Sequence, residues 1–520
     1  MTAKSSHPTR AATRYSLGRR AGALVAGAAL LSLPLACKDS AVPYYTAPTS
    51  VPVSVTGIQN AATGLFGQLR TDQFLYMIYT AGYARDAYIF ISFDAAFVTE
   101  LAGVQQYANS DFYSTGVWTR EFTNAKQANE IIAAVPKVSD YSSAQASAII
   151  GVMQTIKALN FMYIAETHDT TGVPLYTIVN GITDPFYCNK DVWAYIVALL
   201  DSGNANLTAA GSIPLPLTLP AGFGPVSATA APSTASGSFA SFNRALAGKA
   251  GLQLAYAIAR ATAGTAPTPA SAGSPSAAIL LHADSALLSS ALYDTAAIAP
   301  PVAGPFSVDA HGVYHTYSAQ SGDLTNGVNQ YYNQLAPTQD LIADVDTAND
   351  LRWKNKFTPN PTTVQQLAPY NAAAAGFAFL PYATVGGPEP IVRAEELALV
   401  RAEIQLGLGN FANATALINA VRHQAGNVGP VTPAANYVAV RDALMKELRI
   451  STVLEGSADH IIAIRMWGMA AVSDTTWIAS SGPDVAGQPG GTKVDYHTVN
   501  APIPFSEIQG RGGSVTMTCP

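Results

Sequence analysis

The sequence predicts a mostly α-helical fold: a solenoid of tetratricopeptide-like helix pairs with an irregular, loop-rich lobe that contains a few short strands. Three observations lead to this prediction. Residues 390–426 form two apolar-periodic segments joined by a short glycine turn. Several segments between residues 57 and 292 repeat the same 3.6-residue apolar period. Residues 293–388 lose that period and are rich in Tyr, Asn, Gly and Pro, as is typical of irregular structure.

The best-defined helix pair lies at residues 390–426. Its first half has apolar residues four apart, which places them on one helix face. These residues are Ala394, Ala398, Ala402 and Leu406. A turn at residues 407–410 follows, in which Gly409 can end one helix and Asn410 can cap the next. The second half, from Phe411 to Ala425, repeats the apolar pattern. We therefore predict two neighbouring helices, with small alanines that allow a close approach.

The first 36 residues have the composition of a signal peptide and are not expected to belong to the fold. They contain five basic residues, no acidic residue and an apolar run at residues 21–35, followed by Ala36 and Cys37. That run is too short for a comfortable transmembrane helix. We predict that Cys37 becomes the lipidated amino terminus, so that a lipid anchor alone holds the protein to a membrane. A plain secretory signal peptide is the alternative. Residues 37–55 then read as a tether.

The charge of the mature chain argues against nucleic acid as a partner. The whole sequence has 28 basic and 34 acidic residues, a net charge of −6. Without the leader, 23 basic residues remain against 34 acidic ones, a net charge of −11. Phosphate binding requires a basic surface, which this composition does not supply.

Two further cysteines remain after Cys37. Cys188 and Cys519 form a possible disulfide in an oxidising compartment, and two unpaired thiols are an equal alternative.

The sequence contains no recognisable catalytic signature, so we predict neither an enzyme nor a cofactor. Nucleophile elbows, zinc-protease motifs, phosphate-binding glycine loops and C-x-x-C pairs are all absent. Glu395, Glu396 and Glu403 could act as paired glycosidase carboxylates only within a cleft. The favoured interpretation is that Glu396 and Arg393 make polar contacts between helices.

No metal site is predicted either. His311 and His315 are interpreted as two surface histidines in a loop, because Gly312 argues against a helix. Residues 344–350 have the oxygen density of a calcium loop but lack its central glycine and closing glutamate. A capped, solvated turn is the favoured interpretation of that stretch.

Aromatic residues give the better indication of a ligand site. A sugar ring packs its C–H face on an aromatic plane, while its hydroxyls need polar partners. Two stretches combine these groups among the 24 Tyr of the chain. The first contains Tyr76, Tyr79, Tyr83, Arg85, Asp86 and Tyr88, and the second contains Tyr314, Tyr317, Asn326, Asn329, Tyr331 and Tyr332. From these we predict ligand contacts at Tyr79, Tyr83, Arg85, Asp86, Tyr88, Tyr314 and Tyr317. The alternative for each tyrosine is core packing.

The order of short motifs along the chain resembles that of the SusD/RagB family. The scaffold motif contains Arg393 and Glu396, and continues with Asn419 and Arg422. Gly172 to Leu175 matches that family's Gly-x-Pro-Leu turn, and Glu455-Gly456 matches its Glu-Gly pair. One departure is Ala458, where the family has arginine. The resemblance extends from about residue 57 to residue 508.

The resemblance implies a function as well as a fold. It implies a lipoprotein of the cell outer membrane, facing the exterior, which binds a glycan or similar nutrient and passes it to a SusC-like TonB-dependent transporter. In that family the ligand lies on the irregular lobe, which favours the tyrosine-rich stretches. A cell-surface protein-interaction scaffold and, less favoured, a glycan hydrolase are the alternatives. The predicted regions are a signal peptide (1–36), a tether (37–55), an amino-terminal repeat region (56–292), the lobe (293–388) and a carboxyl-terminal repeat region (389–520).

Overall fold

The computed structural model describes most of the chain from residue 51 onward. Its gaps are residues 90–95, 102–115, 176–184, 212, 224–238, 264–268, 271–272, 310, 321, 360–376, 468–499, 514 and 516–520. Val51–Pro520 forms one compact unit. The predicted signal peptide, Cys37 and the tether up to residue 50 lie outside the described residues.

The first part of the fold is a stack of long helices that pack on one another in chain order. Their bounds are α1 Val55–Gln68, α2 Gln73–Tyr83, the single turn α3 Ala96–Thr99, α4 Thr119–Ala134, α5 Ser143–Thr167, α6 Asn189–Ala210, α7 Phe239–Ala263 and α8 Pro275–Leu288. Helix α1 packs on α4, and each helix from α4 to α8 packs on the next. This succession is the solenoid that the apolar periodicity predicts.

Local sequence signals set the ends of these helices. Ser142 and Gln145 form a reciprocal capping box at the start of α5: the Ser142 hydroxyl accepts from the Gln145 N–H at 3.2 Å, and the Gln145 side chain accepts from the Ser142 N–H at 2.9 Å. Ser274 caps α8 in the same way, ahead of Pro275 at the first helical position. These caps set the first residues of α5 and α8.

Glycine allows neighbouring helices to approach closely at two crossings. A Cβ atom on Gly151 of α5 would lie 2.7 Å from Leu207 of α6. One on Gly248 of α7 would lie 2.3 Å from Leu287 of α8. Both distances are well below van der Waals contact, so a larger residue would push the helices apart.

Helix α5 is long and apolar enough to cross a bilayer, and it is the one described helix with that property. Most of its surface is buried against other parts of the protein. It therefore has the character of a core helix, which shows the same hydropathy.

The short strands lie partly in the irregular lobe and partly in neighbouring segments of the chain. Among the described residues, eight strands form four two-stranded antiparallel sheets, β1 with β5, β2 with β3, β4 with β8 and β6 with β7. Two short helices, α9 Gln339–Asp344 and α10 Leu351–Lys356, lie in the lobe. The strands are β1 Ala87–Ile89, β2 Val173–Pro174, β3 Phe186–Tyr187, β4 Gly312–His315, β5 Leu335–Pro337, β6 Phe357–Pro359, β7 Phe377–Phe379 and β8 Glu389–Arg393.

The helix pairs resume after the lobe and continue the same stack. They are α11 Ala394–Gly407, α12 Phe411–Val421, α13 Tyr437–Thr452, α14 Asp459–Met466 and the short α15 Phe505–Gly510. A π-helical turn, Arg422–Gly426, extends α12. Helix α11 packs against α7 and α8 as well as α12, so the predicted carboxyl-terminal region joins the earlier repeats directly.

Three local features differ from the sequence-based expectation. The first residues of the 390–426 stretch belong to strand β8, because Pro390, Val392 and Arg393 pair with β4. Helices α2 and α14 were not predicted. Both are mostly buried in the structure.

Candidate functional site

The predicted ligand-binding tyrosines of the first stretch lie inside the protein. Tyr79 and Tyr83 are both fully buried on α2, with their ring centroids 6.4 Å apart. Neither ring presents a face to solvent on which a sugar could stack. Tyr88 lies on β1, and its side chain is outside the described part of the structure.

The predicted tyrosines of the second stretch are also buried. Tyr314 is 1% exposed, and its hydroxyl donates to Asp309 Oδ2 at 3.0 Å. Tyr317 is 9% exposed, and its hydroxyl donates to the Glu389 carboxylate. The expected exposure is therefore wrong for Tyr314 and Tyr317 as well as for Tyr79 and Tyr83. These rings were placed at the surface because strand and loop residues around them are polar, whereas tyrosine is readily buried when its hydroxyl has a partner.

Arg85 and Asp86 connect distant parts of the chain. Arg85 is fully buried with a left-handed backbone (φ 56°), and its carbonyl accepts from the Thr338 hydroxyl at 2.6 Å. The Asp86 carboxylate accepts from Arg449 Nε at 3.0 Å and lies 2.9 Å from His460 Nδ1. Arg85 thus joins the junction of α2 and β1 to the start of α9, and Asp86 joins it to α13 and α14.

A partly exposed group of aromatic rings lies where α2 meets the lobe. We define Phe74, Tyr331 and Tyr332 as the aromatic patch. The rings of Phe74 and Tyr331 lie 6.2 Å apart at an angle of 31°, and all three residues are partly exposed. Gln330 and Asn333, which flank the two tyrosines in sequence, are exposed. The patch therefore combines ring surface with neighbouring amides, the combination that sugar recognition requires.

Asparagine side chains fix the turn that presents Tyr331. Asn326 caps the 3₁₀ turn Gly327–Gln330 by accepting from the Val328 N–H at 2.9 Å, and it donates to the Gly387 carbonyl at 2.6 Å. Asn329 donates to the Tyr382 carbonyl at 2.8 Å. The two asparagines that were considered as sugar-binding groups thus attach the turn to the segment after β7, which holds the patch in place.

The scaffold motif makes contacts between helices. Arg393 pairs with Glu395 and with Glu455 beyond α13, and Glu396 pairs with Lys249 of α7. Asn419 exchanges two hydrogen bonds with the backbone of Val431, at 2.8 and 3.0 Å. Arg422 forms an ion pair with Glu447 of α13. Each motif residue therefore joins its own helix to another element of the repeat region.

Lys249 lies at the centre of a buried, acid-rich cluster. Its amino group pairs with Glu396 and lies 3.2 Å from Asp459 of α14, while Glu403 is also buried close by. Burial alone would lower the pKa of Lys249, but Asp459 and Glu396 outweigh burial and raise it. Burial raises the pKa of Glu403 well above its usual value, with Asp459 adding to the effect. One lysine thus cannot keep all of these carboxyls ionised, and part of the cluster is held in the protonated form.

The buried carboxylates are poorly placed for glycoside hydrolysis. Glu395, Glu396 and Glu403 are at most 3% exposed, and two of them are engaged with basic side chains. Such a reaction needs two carboxyls on either side of a bound sugar. His460 and Asp86 form a buried pair, but no described residue hydrogen-bonds His460 Nε2. The hydrolase alternative therefore gains no support from these groups.

The two stretches that were considered as metal sites, residues 311–315 and 344–350, have structural roles. His315 is buried on β4, and burial lowers its pKa to about 3, so the expectation of a surface histidine is wrong there. Its strand pairs with β8, which removes it from solvent. Asp350 caps α10 by accepting from the Arg352 N–H at 2.9 Å, as the capped-turn interpretation predicts. Among the described residues, no group of three His, Cys, Asp or Glu side chains is arranged to hold a metal ion.

Cys188 precedes α6 and is disulfide-bonded. Its predicted partner, Cys519, lies outside the described residues, as does Cys37.

Sequence reasoning missed Phe74, because it belongs to the unpredicted helix α2. A signal was nevertheless present. Asp72 directly precedes the segment and Gln73 begins it, while the following residues are mostly apolar. An acidic residue before an apolar run is a frequent helix start.

The chain was compared with known proteins at the levels of sequence and structure. No protein family and no curated protein matches its sequence. Solved structures that resemble it include a SusD superfamily protein from Bacteroides vulgatus, with 13% identity, 88% of this chain and 97% of that chain covered, and a TM-score of 0.57. A putative sugar binding protein from Bacteroides vulgatus has 12% identity, 89% and 98% coverage, and a TM-score of 0.57.

A SusD-like carbohydrate binding protein from Bacteroides fragilis gives a similar comparison. It has 14% identity, covers 88% of this chain and 98% of its own, and has a TM-score of 0.57. Identity at this level is informative about the fold alone. The match extends over nearly the whole of each solved chain, so the helix pairs and the lobe are compared together. The chain therefore has the fold of the SusD superfamily, as the order of its sequence motifs predicts.

Proposed function

We propose that this protein is an outer-membrane lipoprotein that binds an oligosaccharide or similar nutrient at the cell surface and delivers it to a TonB-dependent transporter. The aromatic patch is the observation that supports glycan binding most directly. Solved proteins of the same fold are described as sugar binding or carbohydrate binding. The signal-peptide-like composition of residues 1–36, followed by Cys37, supports the proposed location.

Ligand binding at the aromatic patch breaks no covalent bond. The partly exposed rings of Phe74 and Tyr331 offer apolar surface to the C–H faces of a sugar. Hydroxyl groups at the rim of the sugar can exchange hydrogen bonds with the amides of Gln330 and Asn333. Two rings inclined by 31° suit two successive residues of a bent glycan chain better than one flat ring.

A glycan array tests this proposal. The mature protein would be applied to immobilised oligosaccharides, and any hit would be measured by titration calorimetry. Phe74→Ala and Tyr331→Ala should each weaken binding by about tenfold or more, because each removes one stacking surface. Phe505→Ala is the matched control, since Phe505 is a 41% exposed aromatic residue on α15, outside the patch.

Two results would contradict the assignment of the patch. One is unchanged affinity in both patch variants while each melts at the wild-type temperature. The other is equal weakening by Phe505→Ala. Release of reducing ends from any hit would instead revive the hydrolase alternative and displace the binding-only function.

The location has its own test. We propose that Cys37 carries the lipid and that the protein faces the cell exterior. Cys37→Ser should move the protein from the outer-membrane fraction to the soluble fraction. Protease added to intact cells should digest the wild-type protein. Membrane association that survives Cys37→Ser would overturn the anchor.

The last part of the proposal is delivery of the ligand to a TonB-dependent transporter. A gene for a TonB-dependent transporter directly upstream would support it, and the two proteins should then co-purify from detergent-solubilised outer membranes.

The alternative function is a protein-interaction scaffold, which one observation favours. Leu281 and Leu288 lie two turns apart on α8 and are 59% and 53% exposed. Co-purification lost in Leu281→Ser, with glycan binding intact, would assign this face to a protein partner.

A further inference from the structure

The aromatic patch is assembled from two segments that are distant in sequence. Phe74 lies near the start of α2, whereas Tyr331 and Tyr332 follow the 3₁₀ turn Gly327–Gln330 of the lobe. The rings of Phe74 and Tyr331 keep their spacing of 6.2 Å only while these two segments hold their relative position. A binding surface of this kind depends on the contacts that support it as well as on the rings themselves.

An ion pair between Arg70 and Asp323 joins the same two segments. Arg70 precedes Phe74 by four residues, and Asp323 precedes Gly327 by four residues. Arg70 Nη2 donates to Asp323 Oδ1 at 2.7 Å, and Nη1 lies 3.4 Å from Oδ2. The planar guanidinium thus meets the carboxylate at two points, which fixes the orientation of the pair as well as its distance.

Arg70 makes two further contacts with the lobe. Its Nη1 donates to the Thr316 carbonyl at 2.6 Å, and its guanidinium carbon lies 5.9 Å from the centroid of the Tyr317 ring. The Ser318 N–H donates to the Leu324 carbonyl at 3.2 Å, which brings the residues after Thr316 and those after Asp323 together. One arginine therefore holds both ends of the loop that leads to the patch.

The asparagine contacts of the turn do not replace this ion pair. Asn326 and Asn329 attach the turn to the segment after β7, so they fix it within the lobe. The contact of Arg70 with Asp323 instead fixes the lobe against the segment that leads into α2. Both attachments are needed to place Tyr331 beside Phe74.

The ion pair is partly exposed, which suits it for positioning more than for stabilising the fold. The exposed fractions of the side chains are 18% for Arg70 and 35% for Asp323. Pairs of this kind contribute little to the free energy of unfolding, and salt screens them. The contact can therefore be weakened without unfolding the protein.

We infer that Arg70 is a positioning residue for the aromatic patch: through Asp323 it holds the lobe turn against α2, so that Phe74 and Tyr331 present their rings to one ligand. This inference rests on the proposed function of the patch. It requires no contact between Arg70 and the ligand.

Variants of the ion pair test the inference by calorimetric titration of a neutral array hit. Arg70→Gln and Asp323→Asn should each weaken binding by about fivefold, with melting temperatures close to that of the wild type. The double variant should bind no more weakly than either single variant, because all three lack the same contact. Arg70→Lys keeps the charge and should lose less affinity. If Arg70→Gln does not fold, Arg70→Lys and Asp323→Asn carry the test.

Arg441→Gln is the matched control. Arg441 pairs with Asp442 at 2.7 Å, and the exposed fractions of 20% and 40% are similar to those of Arg70 and Asp323. This variant should keep the wild-type affinity. Equal weakening by Arg441→Gln would overturn the inference, because it would reflect a general effect of charge.

Salt gives a readout that a purely structural role would not change. Between about 0.05 and 0.5 M NaCl, the affinity of the wild type for the neutral glycan should fall, because salt screens the ion pair. The affinity of Arg70→Gln, which has no such pair, should stay constant over the same range. Parallel salt profiles of the two proteins would contradict the positioning role.

Hydrogen exchange provides a test that needs no ligand. The Val328 N–H donates to Asn326 Oδ1 and the Tyr331 N–H donates to the Val328 carbonyl, so both amides report on the turn. They should exchange faster in Arg70→Gln than in the wild type or in Arg441→Gln. Unchanged exchange would overturn the inference even if no glycan bound the wild type, a result that would contradict the proposed function separately. Wild-type affinity in both Arg70→Gln and Asp323→Asn would overturn the inference and leave glycan binding intact.

Discussion

Arg393 Nε lies 2.9 Å from Glu455 Oε2, and its Nη2 lies 3.0 Å from Glu455 Oε1. This two-point contact joins the start of α11 to the segment that follows α13, two stretches 62 residues apart in sequence. Glu455 also lies 2.7 Å from Lys356 Nζ at the end of α10. One buried carboxylate therefore connects the repeats to the lobe that is inserted between them, and the planar guanidinium matches its geometry.

Removing the charge of Glu455 should destabilise the protein strongly. Glu455→Gln would leave Arg393 and Lys356 buried without their shared counter-ion. Breaking a buried pair from one side typically costs about 3–5 kcal/mol. Urea unfolding followed by circular dichroism measures the change in the free energy of unfolding.

Asp442→Asn is the control for that experiment. Asp442 pairs with its neighbour Arg441 at 2.7 Å, but both side chains are partly exposed. Such a surface pair contributes about 0–1 kcal/mol. Equal effects of the two variants would mean that the Arg393–Glu455 contact is as weak as a surface pair.

Glu389 should make the stability depend on pH near neutrality. Burial raises its pKa from 4.5 to about 8, although the Tyr317 hydroxyl donates to it and lowers the pKa in part. The unfolded chain releases this proton near pH 4.5, whereas the folded chain keeps it until about pH 8. Between these values the folded state binds more protons, so the free energy of unfolding falls as the pH rises, by at most about 1.4 kcal/mol per pH unit for one group.

Glu389→Gln mimics the protonated acid and should remove this contribution. Urea titrations between pH 6.5 and 8 are the right measurement, because neighbouring His315, with a folded pKa of about 3 and an ordinary value of 6.5, titrates below that window. Other buried carboxyls add to the slope, so the difference between wild type and variant is the quantity to compare. The surface variant Glu130→Gln should keep the wild-type slope. Parallel profiles for wild type and Glu389→Gln would show that Glu389 does not titrate in this range.

The helical scaffold was predictable because its signals are local. The period of Ala394 to Leu406, the capping residue Ser142 and the glycine turn at residues 407–410 each act within a few residues. Helix α14 was missed because it is buried on every side and so has no polar face. The start signal of α2 at Asp72 and Gln73 was present in the sequence but was not recognised. The contact between Arg393 and Glu455 was not predictable from spacing, since it depends on how separate elements pack.

The candidate site was harder to predict than the scaffold. Tyr79 and Tyr331 both lie in tyrosine-rich stretches, and the burial of each ring depends on tertiary packing. Tyr79 lies on a helix enclosed by the repeats, while Tyr331 ends a 3₁₀ turn at the edge of the lobe. The sequence pattern predicted a ligand site on the lobe, which stays a prediction, but it did not show which rings are partly exposed.

A side chain at position 327 should change the arrangement of the rings in the aromatic patch, although Gly327 itself does not belong to the patch. A Cβ atom at this position would lie 2.4 Å from Phe74 Cδ1. Gly327→Ala should therefore push the Phe74 ring away from Tyr331 and weaken glycan binding by about the same factor as Phe74→Ala. Because Phe74 is partly exposed, the ring can move outward at a small cost in stability.

Gly386→Ala is a suitable control for Gly327→Ala. Gly386 lies in the segment that faces the same turn, and a Cβ atom there meets nothing closer than 3.5 Å. Calorimetric titration of an array hit, with a melting curve for each variant, gives the comparison. Wild-type affinity in Gly327→Ala would show that the arrangement of the two rings does not determine binding.

Cys188 should be covalently linked to Cys519. The chain contains three cysteines, and Cys188 is disulfide-bonded, so its partner is Cys37 or Cys519. A lipid on the sulfur of Cys37 would leave Cys519 as the partner.

A Cys37→Ser variant, secreted in soluble form, should therefore show no free thiol, and peptide mapping without reductant should recover the fragment that joins residues 188 and 519. Cys188→Ser in that background should lower the free energy of unfolding by about 2–5 kcal/mol, because it releases the carboxyl terminus from the start of α6. Two titratable thiols, or a disulfide-linked dimer in the Cys37→Ser protein, would contradict this pairing and point to Cys37 as the native partner.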